Sequence, residues 1–176
     1  MKTRLFFLGA AAVLTFALSG VAKPGQRRVF QALLSGYQET PAISTNGEGE
    51  FRAELDSAQT ALTFELSYSD LEGGTPTAAH VHLGQAGVAG GVSFFLCGGG
   101  GKPPCPAAPA KVTGTVVAAD VVGPAAQGIA AGQFTEVLDA MRSGVTYANV
   151  HTPTYPNGEI RGQIGSGRAL PPGLGR

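Results

Sequence analysis

Three histidines, His80, His82 and His151, are the residues of this chain best suited to bind a metal ion, and the chain has no others. They lie in two strand-like segments, TAAHVHLG and VTYANVHT. Side chains alternate between the two faces of a β-strand, so His80 and His82 share one face while Val81 lies on the other. Two imidazoles placed in this way can chelate one ion, and a third from another strand completes the nitrogen set typical of an open zinc or copper site.

The position of the third histidine decides whether a metal site forms. His151 shares a strand face with Asn149 and Tyr147. The three rings therefore converge if the segment 145–151 pairs beside the segment 77–83, and a separation above about 8 Å would exclude a shared ion. The alternative is that the histidines bind backbone carbonyls or one another and hold the loops that follow their strands.

Two glutamates are further candidates for this site. Glu39 or Glu159 would supply a fourth ligand or accept the N–H of a ligating imidazole, and the residues alone do not choose between them. Glu159 also shares a strand face with Arg161. We predict that these two side chains form a solvent-facing or interstrand ion pair, and the alternative is a ligand-recognition patch near the histidines.

Short stretches of alternating apolar and polar residues, separated by Gly, Pro, Asn and Asp, predict antiparallel strands along most of the chain. Helical periodicity is clear only in GQFTEVLDAMRSG, where Phe134, Leu138 and Met141 recur at helical spacing. Many strands with one helix predict an all-β fold, an antiparallel β-sandwich with one short helix. The predicted strands cover residues 30–34, 51–55, 62–68, 77–83, 92–96, 111–118, 145–151 and 158–165.

The start of the chain, MKTRLFFLGAAAVLTFALSGVA, has a basic beginning, a short apolar run and small residues at a cleavage position, which predicts a signal peptide over residues 1–22. An uncleaved anchor is the alternative, although no basic cluster follows the apolar run. We expect a flexible start at 23–28, one domain at 29–165 and a disordered tail at 166–176. The protein is then secreted or periplasmic, with no membrane association after cleavage.

Charge and cysteine content limit the function further. The formal net charge is zero and the pI is 6.8, so we expect no nucleic-acid binding. Cys97 and Cys105 are the only cysteines, and an even number in an exported chain predicts a disulfide. A thiolate metal site is the alternative. No GxSxG or phosphate-loop motif is present, so the residues provide no hydrolytic centre.

Three runs, LLSGYQETPAIST, AHVHLGQAGVAGGV and YANVHTPTYPNGEIRGQI, together resemble the CHRD (chordin-type) domain over residues 29–165. The chain departs from the usual middle motif at the 97–105 loop. A looser similarity, confined to the His-x-His strand, is to copper-zinc superoxide dismutase. The family motif positions are occupied by the three histidines and by Glu39, Asn149, Pro156, Gly158, Glu159 and Gly162.

The resemblance implies an exported β-sandwich module of the immunoglobulin or superoxide dismutase kind, with an extracellular or periplasmic partner that the residues do not identify. Combined with the histidines, it predicts a binding or matrix-associated module that holds one copper or zinc ion. Two alternatives remain: a copper-dependent oxidoreductase of the superoxide dismutase type and a purely structural extracellular domain. Three histidines are too few for a dinuclear copper-zinc centre, so we expect the domain to be non-enzymatic.

Overall fold

The computed structural model describes residues 27–166, which form nine β-strands and one α-helix. The predicted signal peptide and residues 167–176 lie outside the described part. Three short 3-10 helices occupy connections between strands. The elements are β1 (Val29–Ser35), β2 (Glu48–Leu55), β3 (Ala61–Ser69), β4 (Ala78–Leu83), β5 (Gly91–Cys97), β6 (Ala110–Val117), α1 (Phe134–Arg142), β7 (Thr146–His151), β8 (Ile160–Gln163) and β9 (Gly165–Ser166).

The strands form one antiparallel sheet with the order β5-β4-β7-β8-β1-β2-β3-β6, and β9 pairs with β1. The all-β prediction with a single helix is confirmed. The two halves of the expected sandwich are continuous, because Ser35 of β1 pairs with Arg161 of β8. Strand twist curls such a sheet, and the terminal strands β5 and β6 come into contact, so the sheet nearly closes around one core.

The core follows the alternation of the sequence in β1, β2 and β3. Phe30, Phe51 and Leu66 point inward and are fully buried. Within each strand, the residues that alternate with the buried ones point toward solvent. The helix α1 packs Leu138 and Met141 against the same core. Period-2 and period-3.6 patterns therefore located these elements correctly.

The strands β4, β7 and β8 differ, because they are buried on both faces. Val81 and Val150 point into the core. The opposite face carries polar side chains and lies beneath three loops, those around residues 39–40, 85–90 and 153–158. This second buried layer contains all three histidines.

The cysteine loop is closed as predicted. A disulfide joins Cys97, at the end of β5, to Cys105. Because both cysteines are used in this bond, the alternative of a thiolate metal site is wrong. No helix within residues 27–166 has the length and apolarity needed to cross a membrane.

Candidate metal centre

The pairing of β4 with β7 brings the three histidines together. The register places His151 opposite Ala78 and Tyr147 opposite His82, so the histidines share one face. The ring centroids of His80 lie 4.5 Å from those of His151 and 4.9 Å from those of His82, and the His82 and His151 centroids are 6.2 Å apart. One nitrogen of each ring lies within 4.8 Å of the others. The predicted convergence is therefore confirmed.

Backbone carbonyls orient two of the three rings. His82 Nδ1 lies 2.9 Å from the Gly90 carbonyl oxygen, and His151 Nδ1 lies 3.0 Å from that of Pro156. A carbonyl only accepts, so each Nδ1 carries the proton and each Nε2 presents a lone pair. The His82 lone pair accepts from His80 Nδ1–H at 2.9 Å. The tautomers of all three rings follow from this network.

The Nε2 atom of His151 is buried and has no hydrogen-bond partner among residues 27–166. A buried polar atom without a partner is uncommon because it loses its interaction with water and gains nothing in return. A backbone carbonyl on one imidazole nitrogen, with the other nitrogen bare, is the arrangement that orients metal-ligating histidines. The donor set therefore fits a transition-metal ion.

Aromatic rings enclose the cluster. Phe95 meets the His80 ring edge-on at a centroid distance of 4.8 Å. Tyr147 stacks on His82 at 4.7 Å with the planes 1° from parallel. The Arg161 guanidinium carbon lies 3.4 Å from the Tyr147 centroid, and at these distances it and His82 must occupy opposite faces of the tyrosine. The His82 ring is thus held by its hydrogen bond to the Gly90 carbonyl and by its place in a stack with Tyr147 and Arg161.

The predicted ion pair between Glu159 and Arg161 is wrong. Arg161 is 2% exposed and donates to the carbonyl oxygens of Gln85 and Val88, each at 2.9 Å. Glu159 is fully buried, and no ion pair joins the two side chains within the described residues. The alternation of side chains along a strand correctly places Glu159 and Arg161 on one face, but loops from distant parts of the sequence cover that face.

Glu159 uses both oxygens in the fold. Oε1 accepts from Thr45 Oγ1 at 2.9 Å and from the Glu72 backbone N–H at 2.6 Å. Oε2 accepts from the Gly73 N–H at 3.0 Å and from Thr152 Oγ1 at 2.8 Å. The carboxylate ties three loops to β8, and it is not in the group of candidate ligands that the described residues form.

Glu39 also lies outside that group and binds Asn149 instead, accepting from its Nδ2 at 2.5 Å. Burial raises the pKa of Glu39 to about 7, although the charge of Arg161 acts in the opposite direction. Gly158 packs directly against this hydrogen bond and has a φ of 125°. A Cβ at this position would overlap the Asn149 amide and the Glu39 carboxylate. Only glycine therefore fits this motif position.

Burial keeps all three histidines neutral at neutral pH. Loss of hydration lowers the pKa of His80 from 6.5 to about 3 and that of His82 to about 4. The same cause lowers the pKa of His151. Protons therefore do not compete with a metal ion for these nitrogens near pH 7.

The stability of the metal-free protein is expected to fall as the pH drops from 6.5 to about 4.5. In the unfolded chain His80 and His82 take up protons near pH 6.5, whereas in the folded protein they stay neutral. Their contribution to the free energy of unfolding is therefore present above pH 6.5 and is lost as the pH falls. Glu39 acts oppositely: its folded pKa of about 7 exceeds 4.5, so its contribution is complete below 4.5 and is lost as pH rises through 7.

Glu39→Gln separates these effects. Removing the proton that Glu39 takes up on folding should steepen the pH dependence of the unfolding free energy by about 1.4 kcal/mol per pH unit between 4.5 and 6.5. Urea unfolding at several pH values, after removal of metal with a chelator, measures the pH dependence of the unfolding free energy in the wild type and in Glu39→Gln. Equal slopes in the wild type and the variant would show that Glu39 is ionised in this range.

The sequence comparison decides the family. The family model described as CHRD domain matches residues 30–164. The chain belongs to the CHRD domain family. A search of curated proteins finds no match. The looser similarity of this CHRD domain to copper-zinc superoxide dismutase is not borne out: the chain's three histidines all belong to one cluster, so none is left for a second ion.

Two neighbours of the CHRD domain's histidine cluster, Phe95 and the carbonyl of Gly90, have no signal in the sequence, and they reach the histidines because of strand pairing and loop conformation. Pro156 occupies a family motif position, but the motif did not indicate that its carbonyl contacts His151. The period of two placed Tyr147 on the same face as His151. It indicated proximity to the cluster but not the stacking on His82.

Proposed function

We propose that this CHRD domain is an exported binding module that holds one copper or zinc ion through His80, His82 and His151. The observation that carries the proposal is the buried, unpartnered Nε2 of His151, which lies beside two further neutral imidazoles. Imidazole nitrogens suit both ions, and no softer ligand is free because the two cysteines form a disulfide.

Export is supported by three observations. The first residues have the composition of a signal peptide, the disulfide is typical of oxidising compartments, and the CHRD family fits an extracellular module. We place the protein outside the cytoplasm, secreted or periplasmic, in contact with an extracellular or periplasmic partner.

A binding role fits the surroundings of the cluster better than catalysis does. His80 and His82 are 8% and 7% exposed, and aromatic rings and loops cover them. A catalytic metal needs a coordination position that substrate can reach. The same two carbonyl bonds that orient His82 and His151 also suit a purely structural extracellular domain, in which the histidines only hold loops.

The metal content of the purified protein distinguishes a metal-binding module from a purely structural domain. We expect the purified protein, loaded with copper or zinc and dialysed, to retain about one ion per chain. His151→Ala removes one of three donors and should weaken binding at least about a hundredfold. Elemental mass spectrometry and equilibrium dialysis measure both quantities.

Ser93→Ala is the matched control, since Ser93 Oγ is also buried without a partner but lies outside the cluster. This variant should retain the ion. A wild-type protein without stoichiometric metal, or a His151→Ala protein that binds as tightly as the wild type, would leave the structural role standing.

A further inference from the structure

The donors of the cluster carry no charge. Within residues 27–166 the group of mutually close ligand atoms consists of three imidazoles and includes no carboxylate. The carbonyls of Gly90 and Pro156 fix the Nδ1–H tautomers of His82 and His151, which leaves Nε2 as the donor atom of each ring. The full charge of a bound ion would therefore remain on the ion and its ligands.

The surroundings make that charge costly. His80 and His82 are almost completely buried, with Phe95 and Tyr147 against their rings. The free energy of transferring an ion from water into such a medium grows with the square of its charge. A divalent ion is therefore disfavoured about four times as strongly as a monovalent ion of similar size.

A fixed positive charge adds to this effect. The Arg161 guanidinium lies over Tyr147, which in turn stacks on His82. Its positive charge disfavours additional positive charge on a metal ion bound to that imidazole.

The geometry suits an ion with three ligands. Nitrogens bound at about 2.0 Å to one ion lie about 3.5 Å apart in a planar arrangement. In the metal-free protein His80 Nδ1–H donates to His82 Nε2 at 2.9 Å, and one nitrogen of each ring lies within 4.8 Å of the others. An ion would replace this hydrogen bond: the His80 proton would move to Nε2, so that His80 Nδ1 and His82 Nε2 both present lone pairs, and small rotations of the rings would then meet the requirement. Zinc, in contrast, takes a fourth ligand, which would have to be a water molecule because the described residues offer none.

Given the metal site proposed above, we propose that the three-histidine cluster selects Cu(I) over the divalent ions Zn²⁺ and Cu²⁺. The uncharged donors, the aromatic enclosure and Arg161 all favour the ion of lowest charge. Copper is the ion that imidazole binds well and that has a stable monovalent form. The role of the site is then to hold reduced copper.

Competition among the three ions tests the selection. The metal-free protein is titrated without oxygen with Cu(I) against a coloured Cu(I) chelator, and separately dialysed against Zn²⁺ and Cu²⁺. We expect one Cu(I) per chain, not displaced by Zn²⁺ in about a hundredfold excess. Displacement of Cu(I) by Zn²⁺ overturns the selection and leaves the metal site. Failure of all three ions to bind overturns both.

Glu39→Gln provides a second, independent test. Glu39 binds Asn149, the strand partner of His80, and above its pKa of about 7 it is ionised and offsets the charge of Arg161. At a pH well above that pKa, its removal should raise the ratio of Cu(I) to Cu²⁺ affinity about tenfold. Glu50→Gln, an exposed change on β2, should leave the ratio unchanged. A ratio that falls in Glu39→Gln contradicts the electrostatic selection.

Discussion

Glu159→Gln is expected to lower the free energy of unfolding by about 3 kcal/mol. The Glu159 carboxylate is fully buried and accepts four hydrogen bonds, two of them from the backbone N–H groups of Glu72 and Gly73. Glutamine keeps the size but replaces one accepting oxygen with a donating NH₂ group. Two donors of the protein then face another donor, and both remain buried without a partner. Urea unfolding measures the loss.

Two comparisons show whether the effect comes from these bonds. Glu54→Gln changes an exposed glutamate on β2 and should alter stability by less than about 0.5 kcal/mol. Thr152→Val removes one of the four donors and should cost about 1 kcal/mol. If Glu159→Gln proved as mild as Glu54→Gln, the carboxylate would not hold the loops together.

Metal loading is expected to change the free energy of unfolding by a similar amount in the opposite direction. An ion that binds only the folded protein raises the free energy of unfolding by about 4 kcal/mol when its free concentration is about a thousand times the dissociation constant. The three imidazoles of the cluster are assembled only in the folded chain, because the strands that carry His82 and His151 are distant in the sequence. Thermal unfolding with and without the ion measures the increase.

His82→Ala should abolish this stabilisation, since it removes one donor and also the stacking partner of Tyr147. Because losing this stacking also changes the stability of the metal-free protein, the informative quantity is the increase in unfolding free energy that the ion produces within each protein. Ser93→Ala should show the full increase. An equal increase in His82→Ala would place the ion elsewhere on the chain.

The alternation of residues was sufficient to locate most strands and the faces of their side chains. The predicted strand 77–83 corresponds to β4, and 145–151 to β7. That His80 and His82 share a face, with Val81 in the core, follows from the backbone geometry of any strand. The disulfide and the single helix could likewise be predicted from the sequence, because each depends on local spacing or composition.

The environment of Glu159 and Arg161 was not accessible in this way. Both lie in the predicted strand 158–165, whose apparent polar and apolar alternation normally marks one exposed face. Here loops from distant parts of the chain cover that face, and the polar atoms find their partners in those loops. A period of two describes a strand but contains no information on what packs against it.

The sequence alone determined the all-β class, the shared face of His80 and His82, and the types of atom available to a metal ion. The tertiary structure decided that β7 lies beside β4, which brings His151 within reach, and that Tyr147 and Arg161 stack on His82. The physical reason is that strand pairing between distant segments depends on the burial achieved by the whole sheet, whereas side-chain alternation is a local property of the backbone.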